Sequence, residues 1–231
     1  MAPPGTYPIQ TAMADANVAP GFDPIALAPD EYMRRLGALP LAHQPGERWL
    51  YHTGVEVAGV LIARAAGTPL DQLPHERIFA PLGMRDTSFS VPAANQERLA
   101  TCYRRDDAGE LVVWDDPRTG KWSRPPPFMA GGGQGGLAST VDDCFAFARM
   151  LLAGGRHGSR QILSPRSVDE MTTDQLTPAQ KAASPFYPGF WDHGGWGLGM
   201  QVLTKPDGVA VAPGRYGWGG GRGHPVLRRS G

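Results

Sequence analysis

Glycine and proline interrupt this sequence so often that long regular elements are excluded. The chain of 231 residues contains 31 glycines and 23 prolines, which is above ordinary usage, and they are spread along its whole length. Because both residues tend to end helices and strands, their spacing predicts short elements joined by turns and irregular connections. Hydrophobic residues make up 41% of the chain, so one sizeable core or two small ones can form.

Helical periodicity and strand patterns indicate an α+β fold class. Helices are predicted near 10–17, within 29–37, from Val55 to Gly67, within 70–83 and over 164–173. The helix within 70–83 should end before Pro81. A further helix should begin at an N-cap, which is Ser139 or Thr140. The helix after Ser139 or Thr140 should bury Phe145, Phe147, Ala148, Leu151 and Leu152. Strands are predicted within MRDTSFSVP, in a hairpin that turns at 107–109, and as pairs within GGWGLGMQVLTK and GVAVAPGRYGW.

Charge and residue spacing argue against several classes of function. Lys and Arg together number 22 and balance 22 Asp and Glu, so neither nucleic acid nor an anionic membrane is an expected partner. Cys102 and Cys144 lie outside any CxxC pattern, and the six histidines lack metal-ligand spacing, so no metal site is expected. Without a signal-peptide pattern or a long apolar run, we expect a cytoplasmic location and no membrane span.

The segment Tyr51-His52-Thr53 lies between a Pro-Gly turn and the helix predicted from Val55. It resembles the Tyr-x-Asn motif of the serine β-lactamase, penicillin-binding-protein and related esterase superfamily, with Thr53 in place of Asn. The stretches GVLIARAAGTPLDQ, RIFAPLGMRDTSFSVP and GGGQGGLASTVDDCFAFARMLLAGG are also similar to that family, and the resemblance covers approximately residues 40–220. It implies an incomplete β-lactamase/transpeptidase-like domain over residues 1–220, with a helical part and part of an antiparallel sheet, before an irregular basic tail at 221–231.

The resemblance implies that Tyr51 shares the role of base. In such a site a serine attacks an acyl carbon, and a lysine amine or a phenolate accepts the serine proton. A free phenol titrates near pH ~10, so it needs a neighbouring cation to act near neutrality. The residue alone is equally compatible with a buried ring that caps the following helix.

Trp218-Gly219-Gly220 matches the position of the family's third motif, which is Lys-Thr-Gly in β-lactamases. The Trp-Gly-Gly form looks like that of the carboxylesterase branch. Because Trp cannot pair with a carboxylate as Lys does, the resemblance implies small neutral esters or amides as substrates. It also implies that the substrate is bound by Trp218, Gly219, Gly220 and Thr53. A backbone N–H in this motif would donate a hydrogen bond to the oxyanion. The resemblance implies no metal or other cofactor. The alternative is a glycine-flanked aromatic residue on an edge strand.

The nucleophile of that family lies in a Ser-x-x-Lys motif, which this chain does not contain. None of its three lysines, at positions 121, 181 and 205, follows a serine by three residues. There is no Gly-x-Ser-x-Gly motif either, and the sequence places no base beside Ser139. We therefore predict a truncated serine hydrolase that is inactive or weakly active. A non-catalytic ligand- or protein-binding module and a non-functional gene fragment are the alternatives, and the sequence does not indicate the oligomeric state.

Overall fold

A computed structural model of the chain describes residues 7–21, 25–128, 136–209 and 212–219. The chain divides into two compact units. The first contains Met1–Ala19, Gly37–Gly54 and Phe145–Gly231, and the second contains Pro20–Leu36 and Val55–Cys144. Helices and short antiparallel sheets occur together, so the expected α+β class is confirmed.

Most helices in the described ranges are short, as the glycine and proline content predicts. In chain order the helices are α1 (Pro8–Asp15), α2 (Pro29–Gly37), α3 (Thr53–Ala66), α4 (Gln72–Pro74), α5 (Ala80–Leu82), α6 (Val141–Leu152), α7 (Pro165–Thr172) and α8 (Pro178–Ala183). Of these, α3 and α6 have 14 and 12 residues. A π-helical turn, His75–Phe79, joins α4 to α5, and Ala93–Arg98 forms a 3₁₀ turn. The strands are β1 (Cys102–Arg105), β2 (Leu111–Asp115), β3 (Arg156–His157), β4 (Arg160–Gln161), β5 (Gly194–Trp196), β6 (Gln201–Leu203) and β7 (Tyr216–Gly217).

The first unit contains a three-stranded antiparallel sheet in the order β5-β6-β7. Trp196 lies opposite Gln201, and Val202 lies opposite Tyr216, so strands from the two predicted segments do pair. The described part of GVAVAPGRYGW contributes one strand, β7, to this sheet. A Cβ on Gly195 would lie 2.2 Å from Cγ of Asp174. Glycine at this position therefore lets the Asp174 carboxylate reach β5, where it accepts the N–H of Trp196 at 3.1 Å.

A salt bridge fastens α8 to the same point of the sheet. Nζ of Lys181 contacts Oδ2 of Asp174, and both side chains are about one-fifth exposed. The amine also donates to the carbonyl oxygen of Gly194 at 3.3 Å. Because the pair is mostly removed from solvent, its attraction is less screened than that of a surface pair. The salt bridge holds α8 against the strand that ends at Trp196.

The second unit packs its core around Tyr32 and Phe128, whose ring centroids are 4.9 Å apart. Tyr32 is 1% exposed, and burial, with a smaller contribution from the charge of Glu56, raises its pKa to about 12. The helical segment after α3 runs past Pro81 to Leu82, so its predicted end before Pro81 is wrong. The π turn ends two residues before Pro81, and its wider coil accommodates a proline ring that would clash in a regular helix.

The start of α6 is fixed by a polar network in the second unit. Oγ1 of Thr140 caps the helix by accepting the N–H of Asp143 at 3.2 Å. The buried Asp143 carboxylate in turn accepts the backbone N–H of Asp86 at 2.9 Å and the hydroxyl of Thr87 at 2.8 Å. The backbone N–H of Asp86 is thus bonded to a side chain, and within the described ranges MRDTSFSVP forms a single bridge, between Ser88 and Ala138. The strand predicted there is wrong.

The predicted apolar face of α6 is only partly confirmed. Ala148 and Leu151 are buried, as expected, and Met150 is fully buried as well. Phe145 is 60% exposed, and the Arg149 guanidinium lies 5.7 Å from the centre of its ring. The periodicity of one helix does not reveal that a cation on the next turn will cover an exposed ring.

Replacing Asp143 with Ala should lower the free energy of unfolding by about 2 kcal/mol, because two donors lose their buried acceptor. Asp142 in the same helical turn is exposed and provides the matched control. Asp142→Ala should change stability by less than about 0.5 kcal/mol. Urea denaturation measures both variants, and equal losses would contradict the structural role given to Asp143.

Candidate functional site

Two residues that the sequence analysis singled out meet in the first unit. Trp218 directly follows β7, and Tyr51 lies two residues before the start of α3. The indole N–H of Trp218 donates to the phenolic oxygen of Tyr51 at 2.8 Å, across a separation of 167 positions in the sequence. Both side chains are half-buried, so the hydrogen bond is partly shielded while both residues remain accessible.

The pair belongs to a group of packed rings that we call the aromatic cluster. Its members are Trp49, Tyr51, Phe186, Phe190, Trp196 and Trp218. Trp196 lies at its centre, with its ring centroid 4.7 Å from that of Trp49 and 4.9 Å from that of Trp218. Tilted and edge-to-face contacts of this kind add to the free energy gained by burying the rings. The cluster therefore orients Tyr51 and Trp218 as parts of one packed group.

A buried serine connects the cluster to the end of α8. Ser184 is 4% exposed, and its hydroxyl oxygen accepts the backbone N–H of Trp49 at 2.9 Å. Its carbonyl oxygen accepts the indole N–H of Trp191 at 2.7 Å. Ser184 thus fixes the backbone two residues before Tyr51, which limits the positions that the phenol can adopt.

His52 has an unusual backbone conformation immediately after Tyr51. Its φ of 101° lies in the left-handed region, which residues other than glycine seldom adopt. Burial lowers the pKa of the His52 imidazole below its usual value. Strain of this kind is found at positions that the surrounding fold constrains, and here it sets the direction in which the chain leaves Tyr51 and enters α3.

The remaining predicted site residues have different outcomes. Thr53 is the first residue of α3 and is half-buried, and Gly219 follows Trp218 and is half-buried. Gly220 and the basic tail predicted at 221–231 lie outside the described residues. Ser139 lies in the second unit, where its hydroxyl is 2.8 Å from that of Thr87 in the network that ends at Asp143.

The sequence analysis missed four members of the aromatic cluster, namely Trp49, Phe186, Phe190 and Trp196. Their signal was present in the stretch FYPGFWDHGGW, which concentrates five aromatic residues in positions 186–196. Within the described ranges no group of three or more metal-ligating side chains comes together. In that same part of the chain, every helix is too short or too polar to cross a bilayer.

Comparison with known proteins gives consistent similarities. The beta-lactamase family model matches residues 3–228. Uncharacterized protein MT1414 of Mycobacterium tuberculosis is 42% identical over 185 residues, which are 79% of this chain and 45% of that protein. Lovastatin esterase of Penicillium rubens is 33% identical over 205 residues, with coverages of 79% and 47%. This chain therefore spans about half the length of the curated relatives that it matches.

A solved structure shares the fold. The hydrolase EstCE1, described as having promiscuous acyltransferase activity, superimposes with a TM-score of 0.63 at 24% identity. The match covers 84% of this chain and 51% of that one. Together with the family match, it confirms the β-lactamase/transpeptidase-like fold that the sequence resemblance implied.

A double-mutant cycle should detect the hydrogen bond between Trp218 and Tyr51. We expect Trp218→Phe and Tyr51→Phe to show a coupling free energy of about 1 kcal/mol, because each variant removes one partner of the same bond. Denaturant titration of the single and double variants gives this value. Tyr187, which is 53% exposed, provides the control cycle with Trp218, for which coupling near zero is expected. Zero coupling in both cycles would contradict the contact.

Stability should fall on acidification partly through His52. Its folded-state pKa is lower than the unfolded value of 6.5, so the unfolded chain binds more protons as the pH falls through that value. The stabilising contribution is complete above the unfolded pKa and is lost progressively below it. His52→Asn tolerates the left-handed backbone and should weaken the pH dependence of the unfolding free energy between pH 7 and 5. The exposed His157 provides the control as His157→Gln, and identical profiles for the parent and His52→Asn would contradict this assignment.

Proposed function

Because this chain belongs to the beta-lactamase family, we propose that it carries one side of an acyl-transfer site for small esters or amides. The observation that supports the proposal best is the 2.8 Å hydrogen bond from the Trp218 indole to the Tyr51 phenol. It joins the two motifs that the sequence resemblance identified, although they lie far apart in the chain. In this proposal a serine attacks the acyl carbon, and water then releases the acyl group.

Tyr51 is proposed to share the base role for that serine. A neutral N–H donor directed at a phenolic oxygen fixes the orientation of the phenol. The Trp218 indole supplies such a donor without adding a charge to the site. The aromatic cluster then holds the phenolic oxygen in place, which reduces the reorganisation needed when the proton is transferred.

Trp218 is also proposed to select the substrate. Its ring offers an apolar wall, and its single N–H donates to Tyr51. Because the indole carries no charge, it gives a substrate carboxylate no cationic partner. This favours neutral acyl groups over acids of the penicillin type. Gly219 and Thr53 are proposed to contact the substrate, with a backbone N–H beside Trp218 serving the oxyanion. The sequence resemblance gives the same role to Gly220.

The nucleophile is proposed to lie in a Ser-x-x-Lys motif that these 231 residues do not supply. Serine nucleophiles in such sites depend on an adjacent base, and removing the nucleophile alone abolishes most of the rate enhancement. The chain by itself should therefore hydrolyse esters little faster than the background reaction.

A second candidate function is a non-catalytic binding module. The specific observation in its favour is the combination of an assembled aromatic cluster with the absence of Ser-x-x-Lys. Such a module would hold a neutral ligand or a peptide against the Tyr51 and Trp218 rings without turning it over. The acyl-transfer site requires this gene to encode a chain that also carries Ser-x-x-Lys. The binding module does not.

Labelling with a fluorophosphonate serine probe tests the chain directly. We expect intact-mass spectrometry to show no stoichiometric adduct on the parent, because the sequence contains no Ser-x-x-Lys motif. The variants Tyr51→Phe and Tyr187→Phe should be equally unreactive. A single adduct that is lost in Tyr51→Phe and retained in Tyr187→Phe would show an activated serine within these residues, and would contradict our placement of the nucleophile.

The reading frame upstream of Met1 distinguishes the two candidate functions. If it encodes an in-frame Ser-x-x-Lys, the longer product should hydrolyse p-nitrophenyl butyrate, and Tyr51→Phe should lower its kcat by about 10²–10⁴-fold. Tyr187→Phe in the same product should retain activity. An inactive longer product, or a Tyr51→Phe variant as active as its parent, would contradict the acyl-transfer proposal and favour the binding module.

A further inference from the structure

The first unit contains a cavity beside the aromatic cluster. It has a volume of about 290 Å³ and is lined by residues of the β5-β6-β7 sheet and of the segment before it. Neither Tyr51 nor Trp218 lines it, although Phe190 belongs to both the lining and the cluster. The cavity is therefore a separate space from the hydrogen-bonded pair.

Three aromatic residues contribute to the cavity lining. Phe190 and Tyr216 are 3% and 4% exposed and make a buried floor, while Tyr187 is 53% exposed and forms a wall at the opening. Gly194 allows two stretches of backbone to pass close together beside this floor, since a Cβ there would lie 2.8 Å from the Phe190 carbonyl oxygen. A dry cavity of about 150 Å³ is sufficient for a benzene ring, so this larger one can hold a ring with a small substituent.

The charged groups of the lining neutralise each other. Nη2 of Arg215 contacts Oδ2 of Asp207, and both side chains are about one-fifth exposed. The other Asp207 oxygen accepts the backbone N–H of Val209 at 3.0 Å. A ligand carboxylate must compete with Asp207 for Arg215, and a ligand cation must compete with Arg215 for Asp207. In a partly desolvated site, either replacement leaves one protein charge without its partner, which is costly.

Uncharged hydrogen-bonding groups complete the lining. Gln201 is half-buried and presents an amide, and His193 presents an imidazole whose Nδ1 is bonded to the Pro206 carbonyl. Amide and imidazole groups can both donate hydrogen bonds to, and accept them from, a neutral amide. Aromatic walls together with a few polar groups are the usual composition of a small-molecule site.

We propose that this cavity binds an uncharged aromatic ring bearing a carboxamide or a similar neutral polar group, and that the Asp207–Arg215 pair excludes charged ligands of the same shape. This goes beyond the proposed acyl-transfer role, because it is a binding site that needs neither the serine nor Tyr51. Asp207 is the specificity-determining residue, because its salt bridge with Arg215 prevents the guanidinium from pairing with an anionic ligand.

Three ring compounds of nearly equal shape test the proposal on the purified chain. They are benzamide, benzoate and benzamidinium, which are neutral, negative and positive. Chemical shifts of the Gly194 and Gly217 amides report binding at the cavity. We expect benzamide to bind with a Kd in the millimolar range, ordinary for so small a ligand, and each ion to bind at least about tenfold more weakly.

Two variants should change this preference in opposite directions. Asp207→Asn leaves the Arg215 charge unpaired, so benzoate should bind at least about tenfold more tightly than it binds the parent. Arg215→Gln leaves the Asp207 charge unpaired, so benzamidinium should bind at least about tenfold more tightly than it binds the parent. This variant still tests the proposal if Asp207→Asn fails to fold. Asp192→Asn removes an exposed carboxylate near the cavity and should leave all three affinities unchanged.

Equal binding of the three compounds by the parent would overturn the proposal. Shift changes confined to residues away from the cavity would overturn it as well. Because Tyr51 is intact throughout, these outcomes do not depend on whether the acyl-transfer proposal holds.

Discussion

The first unit is organised around one hydrogen bond, from the Trp218 indole to the Tyr51 phenol. Neither residue reaches the other through local structure, because one follows a strand and the other precedes a helix. Separate anchors bring them together. Asp174 and Lys181 hold the strand that ends at Trp196, and Ser184 holds the backbone at Trp49. The rings between these anchors complete the contact, so loosening any one of them should disturb the pair.

The chemistry of the site follows from a donor that has no charge. A lysine in the place of Trp218 would offer a cation both to Tyr51 and to an acidic substrate, whereas an indole offers one directed N–H and an apolar face. The nearby Asp207–Arg215 pair removes net charge from the adjoining cavity in a different way. Both of our proposals for the first unit therefore lead to uncharged ligands, each for a different physical reason.

The sequence predicted the local elements better than the contacts between them. Apolar spacing located α3, and the turn at 107–109 located the β1–β2 hairpin, because both signals depend on neighbouring residues. The strand expected within MRDTSFSVP was wrong, and there the Asp86 N–H is bonded to the distant Asp143 carboxylate. The helix expected to end before Pro81 continues past it after a π turn. Tyr51 and Trp218 were found through family resemblance, yet no local pattern could indicate that their side chains meet.

The Trp218 indole proton provides the most direct measurement of the central claim. In ¹H–¹⁵N spectra of the labelled chain, a bond to Tyr51 in a half-buried cluster should give a dispersed Nε1–H resonance that exchanges slowly with solvent. In Tyr51→Phe that resonance should shift and exchange faster, while the Trp191 indole, bonded to Ser184, should be unchanged. The account would be contradicted if the Trp218 resonance of the parent had a random-coil shift and fast exchange, and if neither changed in Tyr51→Phe.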